Sequence, residues 1–314
     1  MKKHSKRGGG KEFQGPGLWE TVKEFLLGVR RPFDCIQVEV TSRCPGRCTY
    51  CPHTAMREKW RSRDMTLDTF TRLWPVMRRA GRVHLQGWGE PLLNPALFDM
   101  AALARKAGCA VSTTTCGLHM NRDLALKIVE SGMDIVAFSL AGTDAATNAS
   151  RQGVEFERVC DAISVLDAVR KERTGVHLEV HIAYLMLASN VNAVRGLPAL
   201  MKRLGAHAAV ISTLDLITEP GLDGEAFSPQ ESEKLARASA ILAETGAAAG
   251  RAGLGFHYKL PNSEASGTRC RENITRSFVV SADGFVSPCV YVNLPAEGAD
   301  SGRRAFGNVR EQSP

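Results

Sequence analysis

The chain has 314 residues, 44% hydrophobic and 23% charged, with nine cysteines and a net charge of +7. Such a composition excludes a fibrous or wholly disordered chain and suits one large globular domain with a smaller one beside it. The charge excludes little, because Lys2, Lys3, Lys6, Arg7 and Lys11 supply five uncompensated positives and leave about +2 for the rest.

The glycine-rich basic tail over 1–17 reads as a disordered, solvated segment. A nucleic-acid partner is not expected, since only that tail could recruit one. No apolar run is long enough to span a membrane, and the apolar stretch of a secretory signal is missing. A cytoplasmic location without a membrane partner is therefore the expectation. An odd cysteine count in a long chain favours metal binding or buried thiols over a disulfide framework.

In chain order, 18–30 reads as a short amphipathic helix with Trp19, Val22, Phe25 and Leu26 on one face. From Cys35 onward, strand patterns at 35–41, 82–88, 110–116, 133–140, 175–186 and 208–214 alternate with helix patterns at 66–80, 96–107, 121–131, 153–172 and 190–204. Phe156, Val159, Ile163, Leu166 and Val169 form the clearest apolar stripe. Strands alternating with helices predict parallel pairing with right-handed crossovers.

That pattern suits either an open doubly wound sheet or a partial barrel. Within the strands, Ile36, Val38 and Val40 alternate with Gln37 and Glu39. Val83 and Leu85 alternate with His84 and Gln86, and Leu178, Val180 and Ile182 with His177, Glu179 and His181. A sheet covered on both faces by helices reads more continuously apolar. The fold expected is thus α/β, a partial (β/α)6 TIM-like barrel with a polar lumen. The other reading is that these polar groups satisfy one another inside.

A break comes at Glu219-Pro-Gly-Leu-Asp-Gly224. Ser228-Pro-Gln-Glu231 has the form of a capping box opening a helix to about Thr245. Ser277–Val280 and Phe285–Val290 flank Ala282-Asp-Gly284, a β-hairpin pattern. The expected organisation is a tail over 1–17, a core over 18–225 and a small extension over 226–314.

The motif richest in chemistry is Cys44-Pro-Gly-Arg-Cys48-Thr-Tyr-Cys51, directly after the first strand. Three thiolates on one loop can hold three corners of a four-iron, four-sulfur (4Fe-4S) cluster and leave one iron open. A structural zinc site is the alternative, with His53 as the nearby fourth ligand. The loop lies at the carboxyl end of the sheet, where parallel α/β folds carry their active sites.

This loop resembles the signature of the radical S-adenosylmethionine (radical SAM) enzymes, with Tyr50 in the aromatic slot. Gly87-Trp-Gly-Glu-Pro91, after the second strand, is similar to that family's Gly-Gly-Glu-Pro element. There the resemblance assigns Gly89 and Glu90 to the amino group of the cofactor, with Trp88 in place of the first glycine. Ser139-Leu-Ala-Gly142 with Arg151 resembles the Ser-Leu-Asp-Gly segment and its downstream arginine. The resemblance places Ser139 near ribose or carboxylate and pairs Arg151 with the carboxylate. Ala141 stands where the family carries an aspartate.

The resemblance implies a 4Fe-4S cluster on Cys44, Cys48 and Cys51, with S-adenosyl-L-methionine on its open iron. It also implies an electron donor such as ferredoxin or flavodoxin, reductive cleavage to a 5′-deoxyadenosyl radical, and abstraction of a substrate hydrogen. Cys116 is a candidate hydrogen-atom donor, or a small buried residue. Glu39, His84, Glu179, His181 and Asp215 are candidate substrate contacts.

Cys270 and Cys289, flanking Gly284, resemble the opening half of a SPASM or twitch extension, and Phe306-Gly-Asn-Val309 matches the segment that closes that half. The resemblance implies an auxiliary iron–sulfur cluster whose remaining cysteines the sequence does not contain. The expected substrate is a peptide or protein side chain, with small-molecule or cofactor biosynthesis as the alternative. A zinc- or cluster-binding adaptor is the non-enzymatic reading.

Overall fold

The computed structural model describes residues 31–261, 273–295 and 305–312. The basic tail, the expected helix at 18–30 and Cys270 lie outside them.

The strands are β1 (Phe33–Val38), β2 (Ala80–Leu85), β3 (Ala110–Thr115), β4 (Ile135–Leu140), β5 (Glu179–Met186), β6 (Ala208–Thr213), β7 (Gly255–Tyr258), β8 (Ser277–Val280), β9 (Phe285–Ser287) and β10 (Gly307–Asn308). They form one sheet in the order β10-β9-β8-β1-β2-β3-β4-β5-β6-β7. From β8 to β7 every neighbouring pair is parallel, and only β9 runs against the rest, antiparallel to both β8 and β10. The sheet is not closed, since β10 and β7 are its edges.

The helices used below are α1 (Pro52–Ala55), α2 (Leu67–Thr71), α3 (Trp74–Met77), α4 (Leu97–Lys106), α5 (Arg122–Glu130), α6 (Phe156–Lys171), α7 (Leu197–Leu204) and α8 (Ser232–Arg251). The stripe read from 153–172 is the buried face of α6: Val159, Ile163 and Leu166 are fully buried. The apolar half of each strand alternation packs against such helices, as with Ile36, Val38, Val83, Leu85, Val180 and Ile182. The polar half therefore faces the other side.

Several expectations shift in detail. The helix expected at 66–80 is two short ones, because Pro75 has no N–H to continue the first. The capping box forms a turn instead: the Ser228 N–H donates to the Glu231 carboxylate at 3.0 Å, and α8 begins only at Ser232. The hairpin is present, with Gly284 at φ +88° in its turn. Its first strand, however, pairs with β1 and belongs to the main sheet. After residue 225, α8 and β7 likewise add a further parallel strand beside β6.

No helix among the described residues is long and apolar enough to cross a membrane.

Candidate active site

The cysteine loop leaves β1 and is braced from three sides. The Arg43 guanidinium donates to both carboxylate oxygens of Asp64, at 3.0 and 2.6 Å, and to the Leu93 carbonyl at 2.8 Å. The Trp60 indole and the His53 Nε2 both donate to the Ser42 carbonyl. Farther along, the Arg47 and Thr49 N–H groups donate to Gln152 and Ser150. That last tether carries Tyr50 to the segment bearing Arg151.

The three thiols are half-buried and free. The sulfurs of Cys44 and Cys48 both lie within 4 Å of one point above Gly46. Burial pushes the Cys44 thiol up to about 12, against a hydrogen bond from the Gly46 N–H. Burial pushes Cys51 up to about 11, against N–H donors at the start of α1. Such thiols become ligands by losing their protons to a metal centre. His53 gives its Nε2 to the Ser42 carbonyl and packs its ring on Trp60 at 4.9 Å, while its buried Nδ1 has no partner among the described residues.

Gly89 and Glu90 are locked to this loop. A Cβ on Gly89 would come within 2.1 Å of the Thr41 carbonyl oxygen, and the Glu90 N–H donates to the Arg43 carbonyl at 2.7 Å. The close approach that requires glycine here is thus to the chain's own backbone. The buried Glu90 carboxylate accepts from Leu92 N–H at 3.1 Å, Thr115 Oγ1 at 2.7 Å and Cys116 N–H at 2.6 Å. Its oxygens are spent on protein donors, so it ties the ends of β2 and β3 together. The Cys116 thiol is buried beside it and held well above the ordinary range, by burial first and by Glu90 second.

Arg151 is 8% exposed. One of its terminal nitrogens donates to the Tyr50 hydroxyl at 3.1 Å, and its buried Nε has no partner. No ion pair joins it among the described residues. The Ser139–Gly142 segment beside it is held by two asparagines. Asn148 Oδ1 accepts from the Ala141 N–H, while Asn190 donates to the carbonyls of Ala141 and Thr147.

A cavity of about 550 Å³ opens under these groups. Tyr50, Cys51, Ser139 and Arg151 line its end at the carboxyl termini of the strands. The polar strand faces line the remainder, including Gln37, Arg82, His84, Ser112, His181 and Asp215. His84 donates from Nε2 to Gln86 and accepts at Nδ1 from Ser112, and burial keeps it neutral by lowering its pKa. His181 is lowered by burial as well, although Glu179 accepts from it at 2.6 Å.

Two candidate contacts fall away. Glu39 does not line the cavity: its carboxylate accepts from the Trp88 and Ala282 N–H groups at 3.0 and 3.1 Å and clamps the hairpin turn to the loop after β2. Glu179 points its carboxylate outward, 58% exposed. Trp88, Val290, Tyr291 and Arg82, which are not among the expected site residues, also line the cavity. The Trp88 indole donates to the Val290 carbonyl at 3.3 Å, and its ring lies 5.8 Å from Tyr291. Only Arg82 had a legible signal, being in phase with His84 and Gln86. Cys289 is half-buried at the start of the turn that carries Val290 and Tyr291.

A family model, the radical SAM superfamily, matches residues 38–182. A tungsten-containing aldehyde ferredoxin oxidoreductase cofactor-modifying protein of Pyrococcus furiosus is 24% identical, over 88% of this chain and 78% of its own. A PqqA peptide cyclase of Streptomyces rochei is 32% identical over 46% of this chain, which spans only 39% of that relative. A GTP 3′,8-cyclase of Chlorobaculum tepidum is 30% identical over 63% of this chain and 58% of its own. Among solved structures, Streptococcus suis SuiB bound to S-adenosylmethionine superposes with a TM-score of 0.69 at 12% identity, covering 95% of this chain and 70% of that one. The anSMEcpe structure with bound AdoMet gives 0.64 at 19%, over 89% and 75%. Over residues 38–182 the chain therefore carries a radical SAM domain.

Proposed function

We propose that this enzyme holds a 4Fe-4S cluster on Cys44, Cys48 and Cys51, binds S-adenosylmethionine at the adjoining end of the cavity, and modifies a side chain of a peptide or protein. The observation that carries the reading is Arg151, a buried guanidinium with an unpartnered Nε and no ion pair to any described residue, where the thiol loop meets the cavity. A buried charge of this kind is costly until an anion pairs with it. A methionine carboxylate has the planar geometry that the guanidinium fork matches.

In this reading Tyr50 orients Arg151 and Ser139 offers its hydroxyl to the same ligand. Gly89 and the Glu90 backbone face the amino group, while the Glu90 side chain holds that backbone in place. Bound there, the cluster and S-adenosylmethionine would supply radical chemistry for abstracting a hydrogen atom from the substrate. The chain's own work is to position both molecules and keep water out. Trp88 and Tyr291 serve the second task at one wall. A ferredoxin or flavodoxin would supply the electron.

Units at 1–17, 18–225 and 226–314 would then act as one enzyme, the last giving a cavity wall and, through Cys270 and Cys289, ligands to an auxiliary cluster. The peptide substrate is supported by the PqqA peptide cyclase relative and by the shared fold of SuiB bound to precursor peptide SuiA. A second reading, modification of a cofactor or small molecule, is supported by the relative from Pyrococcus furiosus, whose match spans most of the chain.

Anaerobic reconstitution tests the core of this. Wild-type protein should gain absorbance near about 400 nm and release 5′-deoxyadenosine under reduction, and Cys48→Ala should lose both. Retention of both by the variant would refute it. Deoxyadenosine yield with candidate peptides against small metabolites separates the two substrate classes.

A further inference from the structure

We propose that the substrate presents an anionic group, a carboxylate or a phosphate, to Arg82 at the far end of the cavity from Arg151. The proposal rests on the radical SAM reading for what fills the opposite end.

Arg82 lies in the first half of β2, in phase with His84 and Gln86, so its side chain enters the cavity from the amino-terminal end of the strands. Its register neighbours are Cys35 on β1 and Ala110 on β3. Neither is an acid, and both are small. Arg82 is half-buried, and its guanidinium makes no hydrogen bond or ion pair with any described residue.

The acids nearest in the fold are already committed. Asp34 pairs with Arg276 at 2.7 Å and Asp134 with Arg105 at 2.9 Å, while Glu179 turns its carboxylate outward, 58% exposed. Asp215 comes after β6 at the opposite end and accepts from Thr213 Oγ1. His84 and His181 are kept neutral by burial, so they neither compete for an anion as cations nor neutralise Arg82.

A guanidinium facing a cavity without a counter-charge is a recognition element for a planar or tetrahedral oxyanion. The cavity thus has a cation at each end. Arg151 adjoins the thiol loop, and Arg82 remains for the molecule that lies between them. A carboxylate and a phosphate share the chemistry that Arg82 reads, and titration distinguishes them.

The experiment is isothermal titration calorimetry on the full chain, anaerobically reconstituted, with glutarate, inorganic phosphate and neutral glutaramide as probes. At least one anion should bind wild type, about tenfold or more weakly to Arg82→Gln, and with partial recovery in Arg82→Lys. Glutaramide should not respond to either change. The anion that loses affinity identifies the group. Equal binding to wild type and Arg82→Gln, or no binding of either anion to wild type, overturns the proposal. If Arg82→Gln does not fold, judged by its melting temperature, Arg82→Lys carries the comparison, because losing the fork should still weaken binding. Failure of wild type to take up a cluster would sink the reading of the thiol loop, while the same titration still reports on Arg82 separately.

Discussion

The two ends of the cavity are built on opposite principles. At the thiol-loop end nearly every polar group is held by another. Glu90 accepts three hydrogen bonds, Arg43 grips Asp64 with two, and Asn148 and Asn190 clamp the loop after β4. Arg151 Nε, Ser150 Oγ and His53 Nδ1 are exceptions. Toward the other end, Arg82 has no hydrogen-bond or ion-pair partner among the described residues, and Val210 stays 46% exposed although it sits in a strand. Preorganised backbone suits a ligand that is the same in every turnover. Uncommitted polar and apolar surface suits the partner that varies between enzymes of one fold.

On that contrast, substituting groups that hold one another should damage folding, and substituting groups that only face the cavity should not. The largest effect is expected for Gly89→Ala, whose new methyl group would sit on the Thr41 carbonyl. Displacing the cysteine loop to relieve it should cost about 3 kcal/mol or more and abolish cluster uptake, read by denaturation and by iron content. Glu90→Gln comes next. It keeps the volume but replaces a carboxylate that accepts three bonds, and should cost about 1–3 kcal/mol in denaturant unfolding. Ser139→Ala should be the mildest, within about 0.5 kcal/mol of wild type, while weakening S-adenosylmethionine binding in the same preparation. A Ser139→Ala loss as large as that of Glu90→Gln would erase the contrast.

The sequence made the first end legible because its signals are local. Cys44, Cys48 and Cys51 share one loop, and Glu90 and Ser139 each sit at or just past the end of a strand. Six strands were legible for a related reason: a half-polar alternation is hard to mistake. What escaped was non-local. β8 pairs with β1 only after the rest of the barrel has been laid down, and nothing in Ser277–Val280 states its partner. β7 is a four-residue edge strand whose pattern is too short to read. Glu39 carried the right alternation but met backbone donors from Trp88 and Ala282, a tertiary accident that removes it from the lumen. In sequence Trp88 is a departure from a motif, whereas in the structure it is one side of an aromatic wall shared with Tyr291.

The pairing of the first strand with β8 also imposes a schedule on synthesis. Asp34 and Arg276, which fasten these strands, are 242 residues apart. At roughly 5–20 residues per second, a growing chain holds one edge of β1 open for about 10–50 s before its neighbour arrives. An unpaired edge is a template for another chain. The nascent protein thus carries its greatest risk of misassociation on the strand that leads into the thiol loop, and crowded ribosomes or slow codons before residue 276 would lengthen that exposure.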